Sequence, residues 1–189
     1  MPYAWTQQGE VNIARPYIRF DLSLLPKDAV VEEALLIYHY DPFSLTKLVD
    51  HTADNGFYIQ RVIGPWDLST ITWNNQPPVT TTNRVYVPAA TYTKQNYVIN
   101  VTQLLKDLLA DTATGNQGFR LNLQFETPYH VVVLSNTRHP DVSRHPQLWV
   151  SYSDPLVGTD EEELQSAGPV FKVFPNPASR QITIVSNQV

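Results

Sequence analysis

Runs of four to eight residues that alternate apolar and polar side chains, each closed by Pro, Gly or Asn, constrain most tightly what this chain can fold into. In Tyr17-Ile18-Arg19-Phe20-Asp21-Leu22, the apolar Ile18, Phe20 and Leu22 share one face and Arg19 and Asp21 the other. Further runs occupy 34–40, 57–63, 70–73, 84–87, 97–101, 119–125, 130–135 and 147–152. A period of two buries one face of a sheet and wets the other, and strands this short need frequent turns. The pattern predicts an all-β fold, an antiparallel jelly-roll-like β-sandwich. One helix interrupts it. Thr102 is the expected N-cap, Val101 a staple, and Leu104, Leu105, Leu108 and Leu109 recur at helical spacing. These leucines are expected to plug one end of the sandwich.

With 42% hydrophobic and 16% charged residues the chain has enough apolar material for one core. Its net charge of −5 is uneven: residues 1–153 carry −2, residues 154–169 carry −5, and residues 170–189 carry +2. The expected organisation follows: a sandwich over 1–153, an acidic linker over 154–169, and a separate tail over 170–189. No Lys/Arg stripe marks a nucleic-acid footprint. No stretch approaches the roughly 20 apolar residues of a membrane span. There are no cysteines, hence neither disulfides nor thiol chemistry. The first residues, Met1-Pro2-Tyr3-Ala4-Trp5, have neither the basic nor the apolar region of a leader, so if the protein is exported the chain reads as a piece of it.

Several motifs together are similar to one family. They are Arg19-Phe20-Asp21-Leu22-Ser23 with Leu25-Pro26, then Ala34, Leu36 and Tyr38, then Arg61-Val62, Trp66 and Thr70-Ile71-Thr72-Trp73-Asn74-Asn75-Gln76-Pro77. Val101-Thr102, Gly118-Phe119 and the closing Pro146-Gln147-Leu148-Trp149-Val150-Ser151-Tyr152 complete the set. From about residue 15 to 153 the chain resembles a DNRLRE (disaggregatase-related, carbohydrate-binding-module-like) domain. It departs from that pattern at Leu68, where an acidic residue is usual, and at Asn100, where Asp is frequent. The family also has a strand upstream of the Arg-Phe-Asp segment. Only fourteen residues precede Arg15, so the first strand is expected to be missing. The segment 173–184, with Pro175-Asn176-Pro177 and Ile182-Thr183-Ile184, resembles the opening of a type IX secretion sorting domain. That resemblance implies a protein secreted from, or displayed on the outer surface of, a Bacteroidetes-type bacterium.

A flat aromatic ring matches the C–H face of a pyranose, so aromatics in loops or near edges are the candidate ligand-binding residues. Trp5, Tyr92 and Tyr129 are the choices; Trp66 and Trp73 are expected to be mostly core, and Trp149 either core or a surface anchor. Asp21, Asp67, Glu126 and Asp141 supply no favoured carboxylate pair for glycoside hydrolysis, and no catalytic residue is assigned. His139, Asp141 and His145 form a loose loop set that no rigid element fixes, as do His51, Asp50 and Asp54, so no metal and no cofactor is expected. Asn100-Val101-Thr102 is a formal sequon at a strand–helix junction, and Asp111-Thr112-Ala113 resembles a short O-glycosylation motif.

Two functional expectations follow. One is a non-catalytic extracellular module that binds a polysaccharide or cell-surface glycan, or serves adhesion. The alternative is a structural subunit of an extracellular fibre or sheath, assembled from copies of itself by strand donation, with Phe171, Val173, Ile182 and Ile184 as donor residues.

Overall fold

The computed structural model describes residues 1–41, 51 and 54–153 in full and residues 181–185 as backbone. The linker, Asp50, and the tail residues Phe171 and Val173 lie outside the described residues. In chain order the elements are β1 (Tyr3–Gln7), β2 (Glu10–Ala14), β3 (Tyr17–Ile18), β4 (Val30–Tyr38), β5 (Phe57–Arg61), β6 (Val85–Val87) and β7 (Tyr97–Asn100). Then come α1 (Thr102–Ala110), β8 (Phe119–Leu123), β9 (His130–Val131), β10 (Gln147–Ser153) and β11 (Gln181–Val185). The strands form three antiparallel sheets, ordered β2-β1-β9, β11-β10-β4-β7 and β3-β8-β5-β6. The chain is an all-β sandwich with a single helix among the described residues.

Alternation builds the core as the sequence requires. Leu36, Leu148, Val150 and Ile99 come from one four-stranded sheet, Phe57, Ile59, Leu121 and Leu123 from the other, and all belong to one buried cluster. In β4 the alternation changes phase: Val31 and Ala34 are both buried although three apart. The pairing with β10 shifts between Ser151 and Tyr152, opposite Glu33 and Val31, leaving Glu32 as the extra residue of a bulge.

The helix packs against β4 and β5, with Leu104, Leu105 and Leu108 buried and Leu109 exposed. Its N-cap is Val101 rather than Thr102. The Thr102 hydroxyl instead accepts a hydrogen bond from the Ala34 amide at 2.9 Å, tying the first turn to β4. Beyond the last turn, Asp111 accepts hydrogen bonds from the Thr114 hydroxyl (2.7 Å) and amide (3.1 Å) and from Arg61 Nη1 (2.6 Å). These bonds, Thr114's first, bring the Asp111 carboxyl down to about 2. A carboxyl lowered on folding stabilises the fold above the unfolded-chain pKa of about 4, and that contribution disappears as pH falls through the folded value. Asp111→Asn should therefore cost stability at pH 7, with the gap from wild type shrinking below pH ~4 and closing near pH ~2. Denaturant titrations across that range measure it; a gap that does not change with pH would refute the assignment.

The amino end differs most from expectation. Two strands, not none, precede Arg15: β1 and β2 form a hairpin that pairs with β9. Its two-residue turn places both Gln8 (φ 53°) and Gly9 (φ 86°) in the left-handed region, the backbone of a type I′ turn. Gln is an unusual first residue there, which hid the hairpin. Elsewhere the 17–22 run is strand only over Tyr17–Ile18, although Phe20 remains buried. Residues 70–73 contribute no strand; a 3-10 turn forms at Trp73–Asn75.

Candidate functional site

Arg15, Tyr17 and Arg19 alternate along one extended segment, so their side chains emerge on the side opposite buried Ile18. The long connection between β5 and β6 lies against that side. Arg19 sits over the Trp66 ring at 5.1 Å and Tyr17 packs on the same ring at 5.4 Å between centroids. Trp66 is anchored by its indole N–H, which donates to the Gln117 carbonyl at 2.8 Å. Tyr17 Oη and Arg15 Nη1 both donate to Gln76 Oε1, at 3.3 and 3.2 Å. Arg15 also grips both oxygens of Glu126, at 2.7 and 2.6 Å, and lies 4.7 Å from the centroid of Trp73. The Glu126 hydrogen bonds hold the Arg15 proton more firmly than usual. The guanidinium therefore stays charged, planar and locked against the indole.

The turn that carries Trp73 is laced by its own polar residues. Asn75 Oδ1 accepts from the Thr72 amide and hydroxyl, Asn75 Nδ2 donates to the Thr70 carbonyl at 2.9 Å, and Gln76 Nε2 donates to the Trp73 carbonyl at 3.0 Å. The Thr-x-Thr-Trp-Asn-Asn sequence is thus a rigid bracket with the tryptophan at its tip. Trp73 is 52% exposed, so the expectation that it is core is wrong. Trp66 is half-buried at the surface and outside the core cluster as well. A stacked guanidinium covers part of each ring, a way of holding a large aromatic in water that periodicity cannot reveal.

Trp73 borders an open depression of about 360 Å³ with Val11, Asn12 and Ile13 of β2. Asn12 stands opposite Trp5 across the hairpin. Trp5 in turn meets Tyr129 edge-on, at 5.1 Å and 86°. Tyr129 is exposed, takes φ 73°, and is joined to Thr6 through their hydroxyls at 3.1 Å. Two of the three chosen aromatics, Trp5 and Tyr129, are therefore brought together, only three residues from Glu126 and around the same hairpin as Trp73. Tyr92 is exposed in the connection between β6 and β7, and no described hydrogen bond or ring contact links it to the other two. Trp149 lies half-buried on β10 between buried Leu148 and Val150. Ile182 and Ile184 stand in β11, opposite Val150 and Leu148 of the same chain.

The carboxylates do local work. Asp21 accepts the Ser23 amide, while Asp67 and Asp141 accept the hydroxyl and then the amide of Ser69 and Ser143, and these bonds hold each carboxyl below its usual range. A glycosidase's general acid needs the opposite shift. His139 is buried, accepting from the Asp141 amide at 3.0 Å, and His145 Nε2 lies 2.9 Å from the His139 carbonyl. Among the described residues no group of three His, Cys, Asp or Glu side chains is placed to hold a metal.

The surface is an open, rigid array of aromatic faces beside planar amide, guanidinium and carboxylate groups. It can stack on sugar rings and hydrogen-bond paired hydroxyls without enclosing a ligand. No curated protein and no solved structure matches the chain. A family model described as carbohydrate-binding module family 96 matches residues 4–152, which takes in the Trp73 bracket and all of the strands from β1 to β10 but the first residue of β1 and the last of β10. The chain belongs to carbohydrate-binding module family 96.

Proposed function

We propose that this module binds an extended polysaccharide across the surface between the β1–β2 hairpin and the 66–76 connection, with Trp73 as the stacking platform. The observation that carries the reading is a half-exposed tryptophan, stacked against the guanidinium of a bidentate Arg15–Glu126 pair and lining an open depression. An ordinary surface gives no reason to spend three conformationally restricted side chains on presenting an indole to water. Trp5 and Tyr129 extend the array, and the open shape suits the interior of a chain better than its end.

The module acts without catalysis of its own. The lowered carboxyls of Asp21, Asp67 and Asp141 and the ion pairing of Glu126 support this. It works outside the cell, as an exported or surface-held protein that fastens the cell or a larger protein to a glycan. The resemblance of 173–184 to the start of a sorting domain supports that location. Electrophoresis through native gels containing neutral or acidic soluble polysaccharides tests the binding. Retardation by at least one of them is expected; a folded sample that runs unretarded in all would end the proposal.

A further inference from the structure

The strand that completes the β11-β10-β4-β7 sheet comes from outside the family module. The family match ends at Tyr152, one residue before β10 ends, and β11 begins only at Gln181. β11 nevertheless runs antiparallel along β10, from Gln147 opposite Val185 to Ser151 opposite Gln181. The other side of β10 is fully engaged by β4. Within residues 4–152, then, β10 is an edge strand, with a row of amides and carbonyls open to another strand. This chain brings its own.

The connection is far longer than that task requires. Adjacent antiparallel strands can be joined by two to five residues, whereas residues 154–180 number 27. Such a length reaches at most about 90 Å, while strands in a sheet lie about 4.8 Å apart. The β10–β11 ladder has the same bonds whichever copy supplies β11, so exchange sacrifices no contact. The choice is set by the effective concentration of the tethered strand against that of neighbouring chains.

The geometry points to β11 as an exchangeable strand, which closes the β10 edge of its own chain when copies are dilute and that of a second copy when they are crowded. The partner is residues 181–185 of another identical chain. Reciprocal exchange makes a closed dimer, and head-to-tail exchange an open fibre. The inference is independent of glycan binding.

The absence of cysteine makes the test clean. Ser151 and Gln181 are directly opposed, and Cα atoms of such pairs lie about 4.5–5.5 Å apart, within disulfide range. The full chain carrying both Ser151→Cys and Gln181→Cys, oxidised when dilute, should give a monomer with an internal disulfide. A mixture of the two single variants should give disulfide-linked heterodimer, whose share of the total protein rises about tenfold for each tenfold increase in concentration while it is the minor species. Lys106→Cys, on the helix, replaces Ser151→Cys in the control mixture. A heterodimer yield no higher than that control overturns exchange, and so does failure of the double variant to close internally, since β11 would then not lie on β10.

Discussion

Trp73→Ala is expected to weaken polysaccharide binding by about 30-fold or more, the size of a hot-spot truncation of about 2 kcal/mol, with little change in stability. Both halves follow from position. The indole is 52% exposed and outside the core cluster, so its removal opens no core cavity. Folding stability should drop by about 1 kcal/mol at most, the worth of the lost Arg15 stacking. Arg15 retains Glu126 and Gln76. What disappears is the flat apolar face that a sugar ring would cover. Affinity electrophoresis or calorimetry against the polysaccharide that retards wild type gives the first number, and thermal melting the second. Tyr92→Ala, remote from the array in every described contact, should bind as wild type does. If Trp73→Ala binds normally, or Tyr92→Ala loses as much, the platform lies elsewhere.

Gly118→Ala should cost far more, on the order of 3–5 kcal/mol, or roughly 10 °C in Tm. Two effects combine. Gly118 has φ 72°, where an L side chain is strained, and a Cβ built there would lie 2.1 Å from the Ile18 carbonyl and 2.9 Å from the Arg19 Cα. Neither neighbour can retreat without breaking the pairing of β3 with β8. That strand lies within the segment carrying Arg15, Tyr17 and Arg19, so the binding surface is disturbed as well. Gly115→Ala separates the two effects: φ is 65° but nothing lies within 4 Å of the added carbon. It should cost only about 1 kcal/mol, the backbone term. Equal losses at the two sites would show that the close approach to Ile18 carries no energy of its own.

How far the fold was legible varies by element. Strands such as 57–61, 97–100, 119–123 and 147–153 were visible because one face of each is buried, and burial selects apolar residues at every second position. The helix was visible for the same reason at its own period. The β1–β2 hairpin was not: β2 buries none of its residues fully, so selection left no alternation to read, and its turn residue is Gln8. The run 19–22 misled in the opposite direction. Its apolar residues do face inward, yet the backbone leaves the sheet after Ile18.

The binding surface was half legible. Trp5 and Tyr129 could be chosen for their place in loops and near edges, and they meet although 124 positions apart. Trp73 was misjudged because tryptophan is usually buried, and the residues that hold it out in water, Arg15 and Glu126, lie far from it in sequence. Thr72, Asn75 and Gln76 were the nearest signal: three polar groups around one tryptophan make hydrogen bonds that a core site seldom tolerates.

From the sequence alone came the β class, the position of the helix with its buried Leu104, Leu105 and Leu108, the carbohydrate-binding-module likeness, and the absence of any thiol chemistry. Each depends on local periodicity or on composition, which neighbouring residues suffice to express. Only the tertiary structure decided that Trp73 faces solvent, that Arg15 is committed to Glu126, and that β11 lies on β10. These depend on pairings between distant segments, where the partner and not the residue's own character determines whether a side chain is core or surface.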